Sequence, residues 1–122
     1  MRQLGGLEAE IMDRLWAWGR AATAREVRDD LNRKRPIAYS TVKTVADILF
    51  GKGMLTREKD GRAWLYRATC TRQQYTAARM HDALEGTPDP AGVLLSFVEQ
   101  ISVEEVQALR AALRAAKRRS GS

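Results

Sequence analysis

The chain has 122 residues, of which 44% are apolar, and its 21 Lys+Arg outnumber 15 Asp+Glu for a net charge of +6. That is the composition of an ordinary basic globular protein, with room for one domain, or one small domain plus an oligomerising extension, and none for a large multidomain enzyme. The longest apolar run, Val93 to Val98, is broken by Ser96 and far too short to cross a bilayer, and Cys70 is a lone cysteine, so no internal disulfide is possible.

Leu7, Ile11, Leu15 and Trp18 recur on one helical face, and this first helix should stop near Gly19. Thr23 and Glu26 form a Thr-x-x-Glu capping box, which starts a second helix over roughly residues 23 to 32 before Lys34, Arg35 and Pro36 break it. Val42, Val45, Ala46 and Leu49 give the apolar stripe of a third helix from Tyr39 to Lys52, with Gly53 just past its end. Extended runs then flank Lys59-Asp60-Gly61-Arg62, where Asp60-Gly61 predicts the centre of a type I′ hairpin. Three helices followed by a hairpin is the order of a winged helix. Thr71 and Gln74 open a further helix that ends at Gly86-Thr87-Pro88. Asp89 with Pro90 starts another, striped by Leu94, Phe97, Val98 and Ile101. Ser102 and Glu105 begin the last, whose stripe is Val106, Leu109 and Leu113 and whose end is Lys117, Arg118 and Arg119. The fold class is therefore mainly α with a small β-hairpin wing: a winged helix-turn-helix domain over residues 1–70 and a helical dimerisation region over 71–122.

The charge is unevenly placed. Residues 1–78 hold 15 basic and 9 acidic residues, whereas 79–122 hold six of each. Between 31 and 78 ten basic residues face only Asp47, Glu58 and Asp60, an electrostatic footprint for a polyanion. Opposite its apolar stripe the third helix carries Ser40, Lys43, Thr44, Asp47 and Gly51, with Thr41 on the flank. Hydroxyls and a lysine at the start of a recognition helix suit base edges and thymine methyls in the major groove. Asp47 is repulsive beside phosphates and fits either a cytosine amino group or a pairing with Lys43. Arg57, Lys59 and Arg62, with Lys52 and Arg67 nearby, place positive charge on the wing for the sugar-phosphate backbone. Trp16, Trp18, Trp64 and Tyr66 read as packing residues. Glu8, Glu10 and Asp13 leave no uninterrupted hydrophobic centre in the first 20 residues, so a cytoplasmic location is expected.

The stretch AYSTVKTVADILFGKGMLTREKDGRAWLY resembles the penicillinase-repressor family of bacterial winged-helix regulators, the BlaI/MecI type. LEAEIMDRLW is similar to that family's first helix, TAREVRDDL to its second, TVKTV to its recognition helix and LLSFVEQIS to its dimerisation region, so the resemblance runs over roughly residues 4 to 115. It implies a homodimeric repressor that binds an inverted-repeat operator and is released when a membrane-bound zinc metallopeptidase sensor triggers cleavage in the dimerisation region. Ser40, Thr41, Lys43 and Thr44 match the DNA-reading helix, and Arg57, Lys59 and Arg62 match the wing. The scissile bond maps to Ser96-Phe97, with Ser where the family has Asn. Ala46 and Ile48 depart from the long aliphatic residue and the Arg common at those positions. The copper-responsive branch needs a C-terminal cysteine cluster that this chain lacks, and His81 alone builds no metal site, so no cofactor is expected.

Two apolar stripes in residues 90–119 are too short a segment to enclose both sides of a core, and a second subunit is the natural cover, with packing onto the winged helix of the same chain as the alternative. Leu94, Phe97, Val98, Ile101, Leu109 and Leu113 would meet their symmetry copies there. A sequence-indifferent architectural DNA-binding protein and a winged-helix protein-interaction module are the other readings. An enzyme is disfavoured, since His81 has no nucleophile or acid partner and no phosphate-cradling glycine loop is present.

Overall fold

A computed structural model describes residues 3–120. Its elements run α1 (Gly6–Trp18), β1 (Ala22–Thr23), α2 (Ala24–Asn32), α3 (Tyr39–Gly51), β2 (Leu55–Asp60), β3 (Ala63–Ala68), α4 (Arg72–Glu85), α5 (Pro90–Gln100) and α6 (Val103–Ser120). Four of these six helices begin where a side chain satisfies a free N–H group of the first turn. Thr23 and Glu26 form the expected reciprocal box on α2. Thr71 and Gln74 repeat it on α4, at 2.8 and 3.0 Å, and Ser102 and Glu105 on α6, at 3.0 and 3.1 Å. Asp89 caps α5 by accepting from the Gly92 N–H, and Pro90 takes the first turn. Gly19 ends α1 in the left-handed conformation, φ 66°, a position that suits a residue without Cβ.

α1, α2 and α3 pack around one core of Ile11, Met12 and Leu15 from α1, Val27 and Leu31 from α2, and Val42, Ala46 and Leu49 from α3. Met54, Leu55 and Tyr66 close it from the sheet side. Leu7, Trp18 and Val45, expected on the buried stripes, are only partly covered at its margin. The turn between α2 and α3 is tied to α1 by Arg35, whose two terminal nitrogens each donate to a Glu10 oxygen at 2.7 Å. Those hydrogen bonds hold the Glu10 carboxyl below its ordinary pKa.

The sheet has three strands rather than the two of the expected hairpin, in the antiparallel order β1-β3-β2. β1 is only two residues long, paired as Ala22↔Tyr66 and Thr23↔Leu65, too short to show an alternating pattern. The hairpin turn also differs from expectation. Asp60 pairs with Ala63, so the two-residue loop is Gly61-Arg62 and Asp60 belongs to β2. Only Gly61 has positive φ, 65°, and a type I′ turn needs it at both central residues. The shift carries Arg62 to the tip.

The chain divides into two compact units, one ending at Met80 and one beginning at His81. The first unit includes the opening turns of α4, beyond residue 70, because Trp16 Nε1 donates to the Cys70 carbonyl at 2.9 Å and its ring lies 5.5 Å from that of Tyr75. Arg72 adds an ion pair to Asp13 at 3.1 Å. Cys70 itself is half-buried against the core. In the second unit, α5 and α6 contain no buried residue. No helix among the described residues is long and apolar enough to cross a membrane.

Candidate nucleic-acid interface

The core stripe of α3 fixes what the helix shows to solvent. With Val42, Ala46 and Leu49 buried, Ser40, Thr41 and Thr44 are exposed. The N-terminus of α3 has no side-chain cap: Ala38 occupies the N-cap position, so the first-turn N–H groups and the positive end of the helix dipole remain open to an anion. Beside it the Arg25 guanidinium lies 5.2 Å from the ring centroid of Tyr39. Sequence reasoning passed over this pair because the two residues sit on different helices.

Lys43, Asp47 and Arg57 come together in one cluster. Lys43 donates to Asp47 Oδ2 at 2.6 Å, one turn along α3, and Arg57 of β2 donates to Oδ1 at 2.9 Å. The Tyr66 hydroxyl of β3 donates to the same Oδ1 at 2.5 Å. Of the two roles weighed for Asp47, the structure shows the pairing with Lys43 and adds two partners. Burial alone would raise the Asp47 pKa, but the hydrogen bonds from Lys43 and Tyr66 and the nearby charges outweigh it and hold the carboxyl below its ordinary value. Lys43 is raised by the same hydrogen bond, and burial together with the Asp47 carboxylate raises Tyr66.

The pKa directions set an acid dependence. A carboxyl with a depressed native pKa binds fewer protons folded than unfolded, so its contribution is complete above the unfolded value and is lost as pH falls through the native one. Thermal midpoints measured between roughly pH 6 and 3 should therefore fall more steeply for the unaltered chain than for Asp47→Asn. Parallel curves would contradict the depressed Asp47.

Lys59 and Arg62 stand apart from this cluster. Both are exposed, Lys59 with its ammonium 4.6 Å from the Trp64 ring centroid and Arg62 in the turn. Arg57 is the more enclosed wing cation, its guanidinium carbon 4.1 Å from the Phe50 ring centroid and 4.5 Å from that of Trp64. Lys52 is drawn to Glu8 on α1, away from the wing. Ile48, which stands where the resemblance has Arg, is 47% exposed, off the core stripe.

The dimer candidates lie in the second unit. Leu94, Phe97, Val98 and Leu113 are exposed, at 48, 45, 37 and 63%, whereas Ile101 and Leu109 are half-covered. Leu95, Val93 and Val103 are exposed as well. His81, Asp82 and Glu85 bring three donor groups within 4.8 Å of one another, all on the exposed side of α4, and His81 is paired with Glu85 at 3.5 Å.

Comparison with known proteins agrees with this architecture. The family model for the penicillinase repressor matches residues 4–115. A Mycobacterium tuberculosis protein named transcriptional regulator BlaI is 36% identical over 116 residues, which cover 93% of this chain and 84% of that protein. The solution structure of the DNA-binding domain of the repressor BlaI superposes with a TM-score of 0.52 at 26% identity, covering 60% of this chain and 88% of that one. The Bacillus licheniformis BlaI monomeric form, solved in complex with the blaP half-operator, gives a TM-score of 0.50 at 26% identity over 61% of this chain and 89% of that one. The chain thus belongs to the penicillinase repressor family and is a winged-helix transcriptional regulator, not an enzyme.

Proposed function

We propose that the protein is a homodimeric repressor in which residues 1–70 bind one half of an inverted-repeat operator and residues 71–122 join two copies. The observation that carries the DNA-binding half is the coupling of α3 to a basic wing, with exposed hydroxyls at the uncapped start of the helix. Ser40, Lys43 and Thr44 face base edges in the major groove, and Thr41 lies on the flank nearer a phosphate. The open N–H groups of α3, with Arg25 beside Tyr39, take a phosphate. Lys59 and Arg62 add backbone contacts from the wing, which contribute affinity rather than sequence information. The half-operator complex of the B. licheniformis relative supports one winged helix per half-site.

Dimerisation is supported by the apolar residues of α5 and α6, none of which is buried. Separating the two copies is then enough to release the operator. Cleavage of Ser96-Phe97, triggered by a membrane-bound zinc metallopeptidase sensor, would do so, and because this bond lies inside α5, local unwinding must precede it.

Selection of bound duplexes from a random pool, at about 0.15 M salt where weak non-specific binding is screened, tests the reading. An enriched inverted repeat is expected. Retained DNA without an enriched repeat would point to an architectural binder, and no retained DNA would remove the repressor reading.

A further inference from the structure

We propose that Asp47 is a positioning residue that straps the wing to the recognition helix, and that it does not read a base. The proposal deepens the DNA-binding reading and depends on it for the consequence at the operator. The strap itself is a property of the free protein.

Asp47 projects from the polar side of α3, between Lys43 and the wing, where a carboxylate would ordinarily repel phosphates. Its oxygens are already engaged by three donors from three elements: Lys43 of α3, Arg57 of β2 and Tyr66 of β3. Three of the roughly four acceptor sites of a carboxylate are thereby taken, and the charge a cytosine amino group would meet is already matched by Lys43 and Arg57. Tyr66 is 2% exposed, so its hydroxyl lies beneath the surface and acts at the interface through Asp47. Arg57 is held on the same carboxylate while its guanidinium sits beside Phe50 of α3 and Trp64 of β3. The aromatic contacts and the ion pair together fasten the middle of the hairpin to the helix that enters the groove.

The physical need is clear from the hairpin. β1 pairs only with Tyr66 and Leu65, so beyond Glu58↔Leu65 the wing is a two-stranded ribbon, marginal by itself in water, and it continues through Lys59 and Asp60 with exposed side chains. A wing free to pivot would have to be ordered each time DNA bound. With the strap formed, that ordering is completed on folding, and helix and wing meet the duplex at a preset separation.

Tyr66→Phe removes one hydrogen bond to a charged group without changing the ring. Operator affinity should fall about tenfold, with non-specific affinity little changed. Asp47→Asn should lower the same selectivity, and the two changes should be non-additive, because Tyr66 acts through Asp47. In the free protein, amide hydrogen exchange across residues 55–68 should accelerate about tenfold in Tyr66→Phe, while the α1 amides hold their protection. Asp47→Asn supplies the same exchange readout should Tyr66→Phe fail to fold. Unchanged wing exchange in folded variants would overturn the strap. So would an Asp47→Asn chain that changes base preference at a single operator position while Tyr66→Phe leaves it intact, since that makes Asp47 a base reader. Failure of the unaltered chain to select DNA would sink the repressor reading, and the exchange experiment would still decide the strap.

Discussion

A chain carrying Phe97→Glu and Leu113→Glu should be monomeric and should bind a two-half-site duplex about 100-fold more weakly than the unaltered chain. Phe97 and Leu113 are 45 and 63% exposed, on helices that bury no residue. Full burial of such side chains is worth roughly 1.5 to 3 kcal/mol each, and in a two-fold interface each change is made twice. An unpaired carboxylate in that interface adds a desolvation cost of several kcal/mol, enough to abolish assembly. The loss of operator affinity follows from geometry: a dimer bound at one half-site presents its second winged helix at a high effective concentration, and a monomer does not. Affinity for an isolated half-site should be unchanged, because the substitutions lie in the second unit. Sedimentation and titration of whole and half operators check both statements. Dimers that persist, or monomers that bind the whole operator undiminished, would contradict the assignment of this surface.

Replacing Leu49 by Ala should remove about 3 kcal/mol of unfolding free energy, read as a lower urea midpoint at unchanged slope. Leu49 is fully buried on α3 within the core shared with α1 and α2, and truncation leaves a cavity that close packing cannot refill. A domain of this size has only about 5 to 15 kcal/mol to lose, so the variant should be sharply heat-sensitive. Its neighbour Ile48 is 47% exposed, and Ile48→Ala should change stability by less than about 0.5 kcal/mol. Because Ile48 stands beside the exposed hydroxyls, that variant is also the one to test for altered preference at thymines, whose methyl groups an apolar side chain contacts. Equal destabilisation by the two substitutions would mean that the helix face has been misassigned.

What the sequence disclosed was chiefly local. The caps at Thr23, Thr71, Asp89 and Ser102 involve partners three residues away, and each appears in the structure at its expected place. The stripe of α3 was equally legible, since Val42, Ala46 and Leu49 are held in register by helix periodicity. The errors arose where geometry depends on pairing. Asp60-Gly61 carries the local signal of one turn type, but the register Asp60↔Ala63 moves the loop on by one residue. β1 exists because Ala22 and Thr23 lie alongside Tyr66 and Leu65, a contact across more than 40 residues that no local pattern announces.

The same limit applies to the candidate site. Lys43 and Asp47 are four apart on a helix, so their pair was open to inference from spacing. Arg57 and Tyr66 lie 10 and 19 residues further along, and their convergence on Asp47 requires the hairpin to fold back on α3. Wing cations that look alike in sequence consequently separate in space. Arg57 is enclosed between aromatic rings, while Lys59 and Arg62 remain exposed. Exposure of Leu94, Phe97 and Leu113 was likewise beyond the sequence, which marks a stripe as apolar without saying what covers it.

The repressor account rests on two winged helices held at a fixed separation, and changing the spacing of the selected half-sites tests that directly. With half-sites about one helical turn apart, an insertion of roughly 5 base pairs turns the second site to the opposite side of the duplex. Affinity for the whole operator should then drop to that of a single half-site. Affinity unchanged by the insertion would show that the two half-sites are bound independently, and the dimeric account would fail.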